Sequence, residues 1–537
     1  MKKMLLGATA LFALTAMGGV ALADYSVTIL HTNDLHSRIE QINKSDSSCS
    51  AEDDGKGECF GGVARVKAKV DERRKALTDA GKNVILMDAG DQFQGSLFYT
   101  TYKGKAAAEF MNMIGYDVMA VGNHEFDDGP QGLADFLADV TFPVISGNTD
   151  VSNEPLLKDK VPGSVILEVG GQKIGIVSVL AEDTAETASP GPGVTFVKAE
   201  DYLKGAVGEL EAQGVNKIIA LTHMGYERDK EIAGAVSGID AIVGGHSHTL
   251  LANNNDKAAG PYPTIVANPD GKDVPVVTAY AYSKYLGEIE LTFNDNGDLI
   301  SAKGDPILLD ASVKPDETVA ARVAELAKPL EELKAKVIGS STAAIDGSRE
   351  TCRVSECQMG NLVAEAMLDR VKEQGVEIVI QNGGGLRASI DSGEITMGEV
   401  LTVLPFQNTL ATFQLKGSDV VAALENGVSK VEEGAGRFAQ VAGLRYEWTK
   451  SKPAGERILK VEVKNGDGWA PIDPDKVYGL ATNNYMRGGG DGYAVFAKGG
   501  MNAYDFGPGL EEVLAGYIAK NGGAYTPFTD GRITEVQ

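Results

Sequence analysis

No histidine occurs after residue 248 of this 537-residue sequence, although six occur up to and including it: His31, His36, His124, His223, His246 and His248. Basic charge is also scarce. Lysine plus arginine number 50 against 75 acidic residues, for a formal net charge of −25. Binding a polyanion through the overall field requires a basic footprint, so a nucleic-acid polymer is excluded as a partner on that ground. An anionic substrate has to be captured locally, by metal or arginine.

Long apolar runs are missing beyond the first 23 residues. The leader MKKMLLGATALFALTAMGGVALAD joins two lysines, an apolar stretch and the A-x-A pattern Ala21-Leu22-Ala23. That is the layout of a secretory signal peptide cleaved after Ala23. Its apolar stretch is barely long enough to span a bilayer, is broken by Gly18-Gly19 and has no charged stop-transfer flank. The expectation is export to the periplasm, with no stable membrane anchor after cleavage. No heptad seam is visible, which leaves the oligomeric state open. More than 500 residues remain after the leader, too many for one core.

Cysteine is limited to Cys49, Cys59, Cys352 and Cys357, two sequence-local pairs. In an exported protein such pairs read as disulfides Cys49–Cys59 and Cys352–Cys357. A four-thiolate metal site would need both pairs brought together and lacks C-x2-C spacing.

What is present is an alternation. Val27–Leu30, Val84–Met87, Val118–Val121, Ile218–Leu221 and Ala241–Val243 read as short buried strands, with helical patterns such as Gly62–Ala76 and Gly104–Met113 between them. Strands alternating with helices imply an α/β layered domain. Residues 316–337, rich in Ala, Leu, Glu and Lys, read as a connecting helix with a kink at Pro329. The remainder mixes α and β around the glycine-rich loops NGGGLR and RGGGDGY. The expected domains are a signal peptide over 1–23, a first domain over 24–335, a linker over 336–345 and a second domain over 346–537.

Each predicted strand of the first domain runs into a short polar loop carrying a ligand type: HTNDLH, then Asp91, Asn123-His124, His223 and His246-Ser247-His248. In α/β sheets the carboxyl ends of neighbouring strands converge on one crevice. Taken singly, Asp34 or Asn123 could cap a helix, and His246 or His248 could sit in a turn. Taken together, Asp34, His36, Asp91, Asn123, His223, His246 and His248 suit two divalent ions such as Zn, Mn or Co sharing a carboxylate. Two ions about 3.5–4 Å apart can activate a water and clamp a phosphoryl oxygen. His31, directly behind its strand, reads as structural.

The motifs HTNDLHSR, GDQFQGS, GNHEFD, THMG and GGHSH, followed by TCRVSECQMGNL, NGGGLR, LPF and YMRGGGDGY, resemble the 5′-nucleotidase family of calcineurin-like metallophosphoesterases. That family includes periplasmic UDP-sugar hydrolases and the animal ecto-5′-nucleotidase. The resemblance implies a four-layer α/β/β/α metallophosphoesterase domain joined by a helix to a C-terminal α+β nucleotide-binding domain, with domain rotation about the linker. It places one ion on Asp34, His36, Asp91 and His248, and the second on Asp91, Asn123, His223 and His246. His248 keeps a ligand where some periplasmic members have glutamine. His124 and Asp127 would form the catalytic dyad. The nucleotide site would comprise Arg353, Asn382, Arg387, Phe406, Tyr485 and Asp491, with Phe406 and Tyr485 stacking on the base. Tyr485 stands where the animal pattern has phenylalanine. The implied activity is release of phosphate from nucleoside 5′-monophosphates by metal-activated water, in nucleotide breakdown. Cleavage of UDP-sugars or NAD on the same site is the nearest alternative. A non-catalytic periplasmic nucleotide-binding protein is a more distant one, and thiosulfate-ester hydrolysis would not need the aromatic pair.

Overall fold

The computed structural model describes residues 24–536 apart from 44, 45, 47, 48, 50, 183, 189, 405, 407, 467, 506 and 521. The expected signal peptide, and Pro405 of the LPF motif, lie outside the described residues. Five strands of the first half matter most: β1 (Tyr25–Thr32), β2 (Asn83–Asp88), β3 (Val118–Ala120), β4 (Ile218–His223) and β5 (Ala241–Gly244).

These strands belong to two sheets. β1, β2, β3 and Val144–Ile145 run parallel, and the antiparallel strands Tyr285–Phe293 and Leu299–Gly304 extend the β1 side. In the second sheet β4 lies between Gln172–Leu180 and β5, parallel to both. The period-2 alternation of side chains sets the layering. Ile29, Met87 and Ala120 cluster with Ile219 and Ile242 of the other sheet. The neighbouring Leu30, Leu86 and Met119 point the other way, onto Val66 and Val70 of helix Val63–Asp79 and Phe110 of helix Gly104–Ile114. Helices Ala199–Ala212 and Tyr226–Ala235 cover the second sheet with Leu203, Val207 and Ile232. The first domain is therefore the expected α/β/β/α stack. All five ligand loops leave the carboxyl ends of β1–β5, because parallel strands in facing sheets put those ends on one side.

The connecting helix spans Glu317–Lys334 and runs through Pro329. Asp316 caps it, its side chain accepting from Val319 N at 2.9 Å, and Val319, Val323 and Leu330 bury against the first domain. Beyond it, Val337–Ser341 pairs with Gly393–Thr396 and Ala524–Tyr525. A five-stranded sheet follows in the order Ala439–Ala442, Ile378–Asn382, Val477–Asn483, Leu410–Lys416, Met501–Tyr504. Helix Gln358–Val371 packs beside it through Leu362, Val363 and Met367. Both expected disulfides form, with Cα–Cα distances of 5.9 Å for Cys49–Cys59 and 5.0 Å for Cys352–Cys357. Among the described residues no helix is long and apolar enough to cross a membrane.

Candidate active site

The loops after β1–β5 bring the seven candidate ligands together. Asp34, His36 and His248 form one group, and Asp91, His223 and His246 another, with the donor atoms of each group within 4.8 Å of one another. Asn123 Oδ1 lies 3.2 Å from His223 Nε2 and 2.9 Å from His246 Nδ1. Asp91 stands between the groups, its Oδ2 3.0 Å from His223 Nε2 and 3.8 Å from His36 Nε2.

The backbone is bent hard to achieve this. Asp34, His36, Asp91, His246 and His248 have φ of +53°, +47°, +60°, +77° and +50°. Each such left-handed non-glycine residue costs on the order of 1–3 kcal/mol and persists only where its surroundings dictate it. Here the loops bind one another: Asp34 N donates to Gly90 O at 2.9 Å, His36 N to Asp91 O at 3.0 Å and Ser37 N to Gln92 O at 2.9 Å. Gly122 is obligatory, because a Cβ there would sit 2.2 Å from Asp91 Oδ1.

Glu125 anchors the middle loop. Its fully buried carboxylate accepts from the backbone N–H of Gly122 (2.6 Å), Gln92 (2.8 Å), Asp91 (3.0 Å) and Phe93 (3.2 Å). Asn33 does similar work at the first loop, donating to Asp34 Oδ2 at 2.7 Å and accepting from Ala279 N at 2.9 Å.

The donor chemistry fits divalent cations. A carbonyl can only accept, so His223 Nδ1–H donates to Ala89 O (2.6 Å) and His36 Nδ1–H to Phe93 O (3.1 Å). In the neutral rings this leaves both Nε2 lone pairs aimed inward. That of His223 faces the Asp91 carboxylate, and that of His36 faces His248 Nε2 at 2.9 Å. An imidazole lone pair facing a carboxylate, as at His223 and Asp91, is repulsive unless a cation lies between them, and backbone-fixed imidazole tautomers are typical of metal sites. The same field acts on protons. Burial opposes charge on His223, but Asp91 outweighs it and draws the imidazole up to about 10. Burial also opposes ionisation of Asp91, yet the imidazoles of His223 and His124 hold it well below the usual carboxylate range.

His124 and Asp127 are paired, Nδ1 to Oδ2 at 2.7 Å, and His124 N donates to Asp91 Oδ1 at 2.9 Å. Burial pulls the His124 imidazole down; Asp127, then Asp91, carry it up to about 9. His31 stays apart as expected, buried with Nε2 2.7 Å from Tyr262 Oη.

Arg353, Asn382, Arg387, Phe406, Tyr485 and Asp491 all line one cavity of about 530 Å³. The Arg387 guanidinium lies 5.2 Å over the Phe406 ring. Asp491, at φ +52°, accepts from Asn382 Nδ2 at 2.7 Å and from Tyr485 Oη at 3.2 Å. Gly490 lets the Tyr485 ring lie close, since a Cβ there would meet it at 2.5 Å. The wall facing these residues comes from the first domain: Arg38, Asp46, His248, Tyr280 and Tyr282. A second cavity of about 190 Å³ opens on His36, Asp91, Asn123, His124 and His246. The two share Arg38, His248, Tyr282, Phe406 and Asn408.

Reading the sequence missed Asn33, Arg38, Glu125, Asp46, Tyr280 and Tyr282 as parts of the site. The first three lie inside the motifs HTNDLHSR and GNHEFD, so attention to every polar motif residue would have found them. The AYAYSK segment that carries the tyrosines has no local signal.

A four-layer α/β/β/α domain with imidazoles and carboxylates at its strand ends, opening onto a second domain, defines a metallophosphoesterase with an added substrate domain. Residues 27–250 match the calcineurin-like phosphoesterase family, and residues 337–498 match the 5′-nucleotidase C-terminal domain. The chain is 39% identical over 536 residues to a 5′-nucleotidase of Diplobatis ommata, covering 96% of this chain and 91% of that one. It is 38% identical to a human 5′-nucleotidase, covering 98% and 94%. Among solved structures, a 5′-nucleotidase precursor from Thermus thermophilus is 41% identical, with a TM-score of 0.64 and coverage of 95% and 99%. An NAD nucleotidase from Haemophilus influenzae is 29% identical, with a TM-score of 0.74 and the same coverage. The chain belongs to the 5′-nucleotidase family.

Proposed function

We propose that this chain is an exported, metal-dependent hydrolase that releases phosphate from nucleoside 5′-monophosphates. The observation that carries this reading is the adjacency of the two cavities, which share Arg38, His248, Tyr282, Phe406 and Asn408 in their walls. One small molecule can hold its base in the larger cavity and its phosphate beside the imidazole cluster. Domain limits of 24–335 and 346–537, with a linker at 336–345, suit this division of labour.

Asp34, His36, Asp91 and His248 would hold one divalent ion, and Asp91, Asn123, His223 and His246 a second. Such ions supply Lewis acidity, lowering the pKa of an attacking water and offsetting charge on phosphoryl oxygens. The chain's own groups do the rest. His124, with Nδ1–H donated to Asp127, presents Nε2 towards the phosphate, and as an imidazolium it donates a hydrogen bond to the charge that builds up there. Arg353 and Arg387 offer planar forks to phosphate and ribose oxygens. Asp491 accepts from ribose hydroxyls, with Asn382 fixing its orientation, and Phe406 and Tyr485 stack on the base without reading its edge. Broad base tolerance follows.

The test is phosphate release from AMP by protein reconstituted with Mn, Zn or Co, beside UDP-glucose and NAD as substrates. No release from AMP with any ion would overturn the assignment. Likeness to the NAD nucleotidase supports a second reading, cleavage of a pyrophosphate on the same groups, which would appear as faster turnover of NAD or UDP-glucose than of AMP.

A further inference from the structure

The segment 279–283 returns to the site from more than two hundred residues beyond HTNDLH. Its backbone is strained: Tyr280, Tyr282 and Ser283 have φ of +65°, +59° and +58°. Three left-handed non-glycine residues within four positions need outside support, and strain of this kind gathers at functional sites. The support comes from the ligand loops. Tyr282 N donates to Asp34 O at 2.8 Å, and Asn33 Oδ1 accepts from Ala279 N at 2.9 Å. Ser283 Oγ accepts from Gly62 N at 2.7 Å. A Cβ on Gly61 would lie 2.6 Å from that same oxygen, so the segment is also closely packed from outside.

This framework fixes the Tyr282 ring between the cluster and the nucleotide cavity. Its centroid lies 5.1 Å from that of His248, edge-on, and 5.8 Å from that of His36. The Arg38 guanidinium sits 5.1 Å over its face. Tyr282 is one of the few residues lining both cavities. Its ring packs against His36, His248 and Arg38, yet its hydroxyl makes no hydrogen bond with any described residue. A rigid phenol at a neck, with a guanidinium against its face, is a donor pre-arranged for an anion.

We infer that the Tyr282 hydroxyl donates a hydrogen bond to a phosphoryl oxygen of the substrate, making Tyr282 a substrate-contacting residue. The inference rests on the proposed reading of the site, in which the phosphate lies beside the imidazole cluster that the Tyr282 ring borders at His248 and His36. Hydrogen bonds to charged oxygens are the strong ones, and the phosphate is the charged part of a nucleotide.

Tyr282→Phe keeps the ring against His36, His248 and Arg38 and removes only the donor. On manganese-reconstituted full chain, kcat/KM for AMP should fall about tenfold or more. Calorimetric affinity for inorganic phosphate should weaken by a similar factor, with bound manganese and melting temperature unchanged. Unaltered kcat/KM and phosphate affinity would overturn the inference. So would a loss that tracks lost manganese, because the ring would then act by holding His248. If the unaltered protein releases nothing from AMP, the functional reading fails, and the phosphate calorimetry still decides the role of Tyr282.

Discussion

The carboxylate of Glu125 holds the backbone N–H of Asp91 at 3.0 Å while its other bonds tie Gln92, Phe93 and Gly122 to the same point. Through bonds to backbone N–H groups, Glu125 thus supports the φ of +60° at which Asp91 can face both groups. Glu125→Ala leaves four buried N–H groups without their acceptor. At about 1–3 kcal/mol each, it should lower stability by several kcal/mol in urea unfolding and weaken manganese binding in titration. Full stability and full ion affinity in this variant would contradict the anchoring role.

Asp91 lies within reach of both imidazole groups, so it is the single ligand candidate whose loss touches both ions. Asp91→Asn should lower the bound metal content and cut phosphate release by about a thousandfold or more, while circular dichroism stays near that of the unaltered protein. A variant that keeps two tightly bound ions would rule out the bridging assignment.

His124 should separate from the ligands in the same assay. Its ring is committed to Asp127 at 2.7 Å. His124→Gln is expected to lose about 10²–10⁴-fold in kcat with ion content intact. Loss of ions in this variant would make His124 a ligand instead.

Tyr485 is the more exposed half of the proposed base clamp, at 49% exposure. Stacking is worth about 1–3 kcal/mol per base, so Tyr485→Ala should raise KM for AMP about tenfold or more. Turnover of para-nitrophenyl phosphate, which has no nucleoside, should be unchanged. Equal loss on both substrates would place the effect at the ion cluster.

His31 provides a pH test remote from the proposed chemistry. Burial draws its pKa from 6.5 down to about 3. Between those values the unfolded chain binds a proton that the folded chain refuses. Its contribution is therefore complete above pH ~6.5 and is lost as pH falls toward 3. For this group alone the loss from pH 7 to pH 5 is about 2 kcal/mol. His31→Gln should show a correspondingly shallower decline in urea-unfolding free energy over that window, and an unchanged slope would refute the assignment.

Much of the site was legible because its signals are local. Asp34, His36, Asp91, Asn123, His223, His246 and His248 stand at or within a few residues of the ends of five apolar strands, and strand patterning needs only the apolar run and its end. Arg387 and Tyr485 sit beside glycine runs that mark themselves in the same way, whereas Arg353 and Phe406 were legible only through the resemblance of TCRVSECQMGNL and LPF to the family. The two disulfides close short loops, so their partners were close at hand. The layered fold followed from strands alternating with helices.

The sequence by itself determined which chemistries stand at the strand ends and that two domains share the chain. Tertiary structure alone decided that five ligand residues adopt left-handed backbone, that Glu125 clamps the Asp91 loop, and that Tyr282 borders both cavities beside His36 and Arg38. The physical reason is range. A strand and its loop are specified by neighbours in the chain, whereas backbone strain and cavity walls are imposed by contacts such as Tyr282 N to Asp34 O, which link segments far apart in sequence and exist only once both sheets have packed.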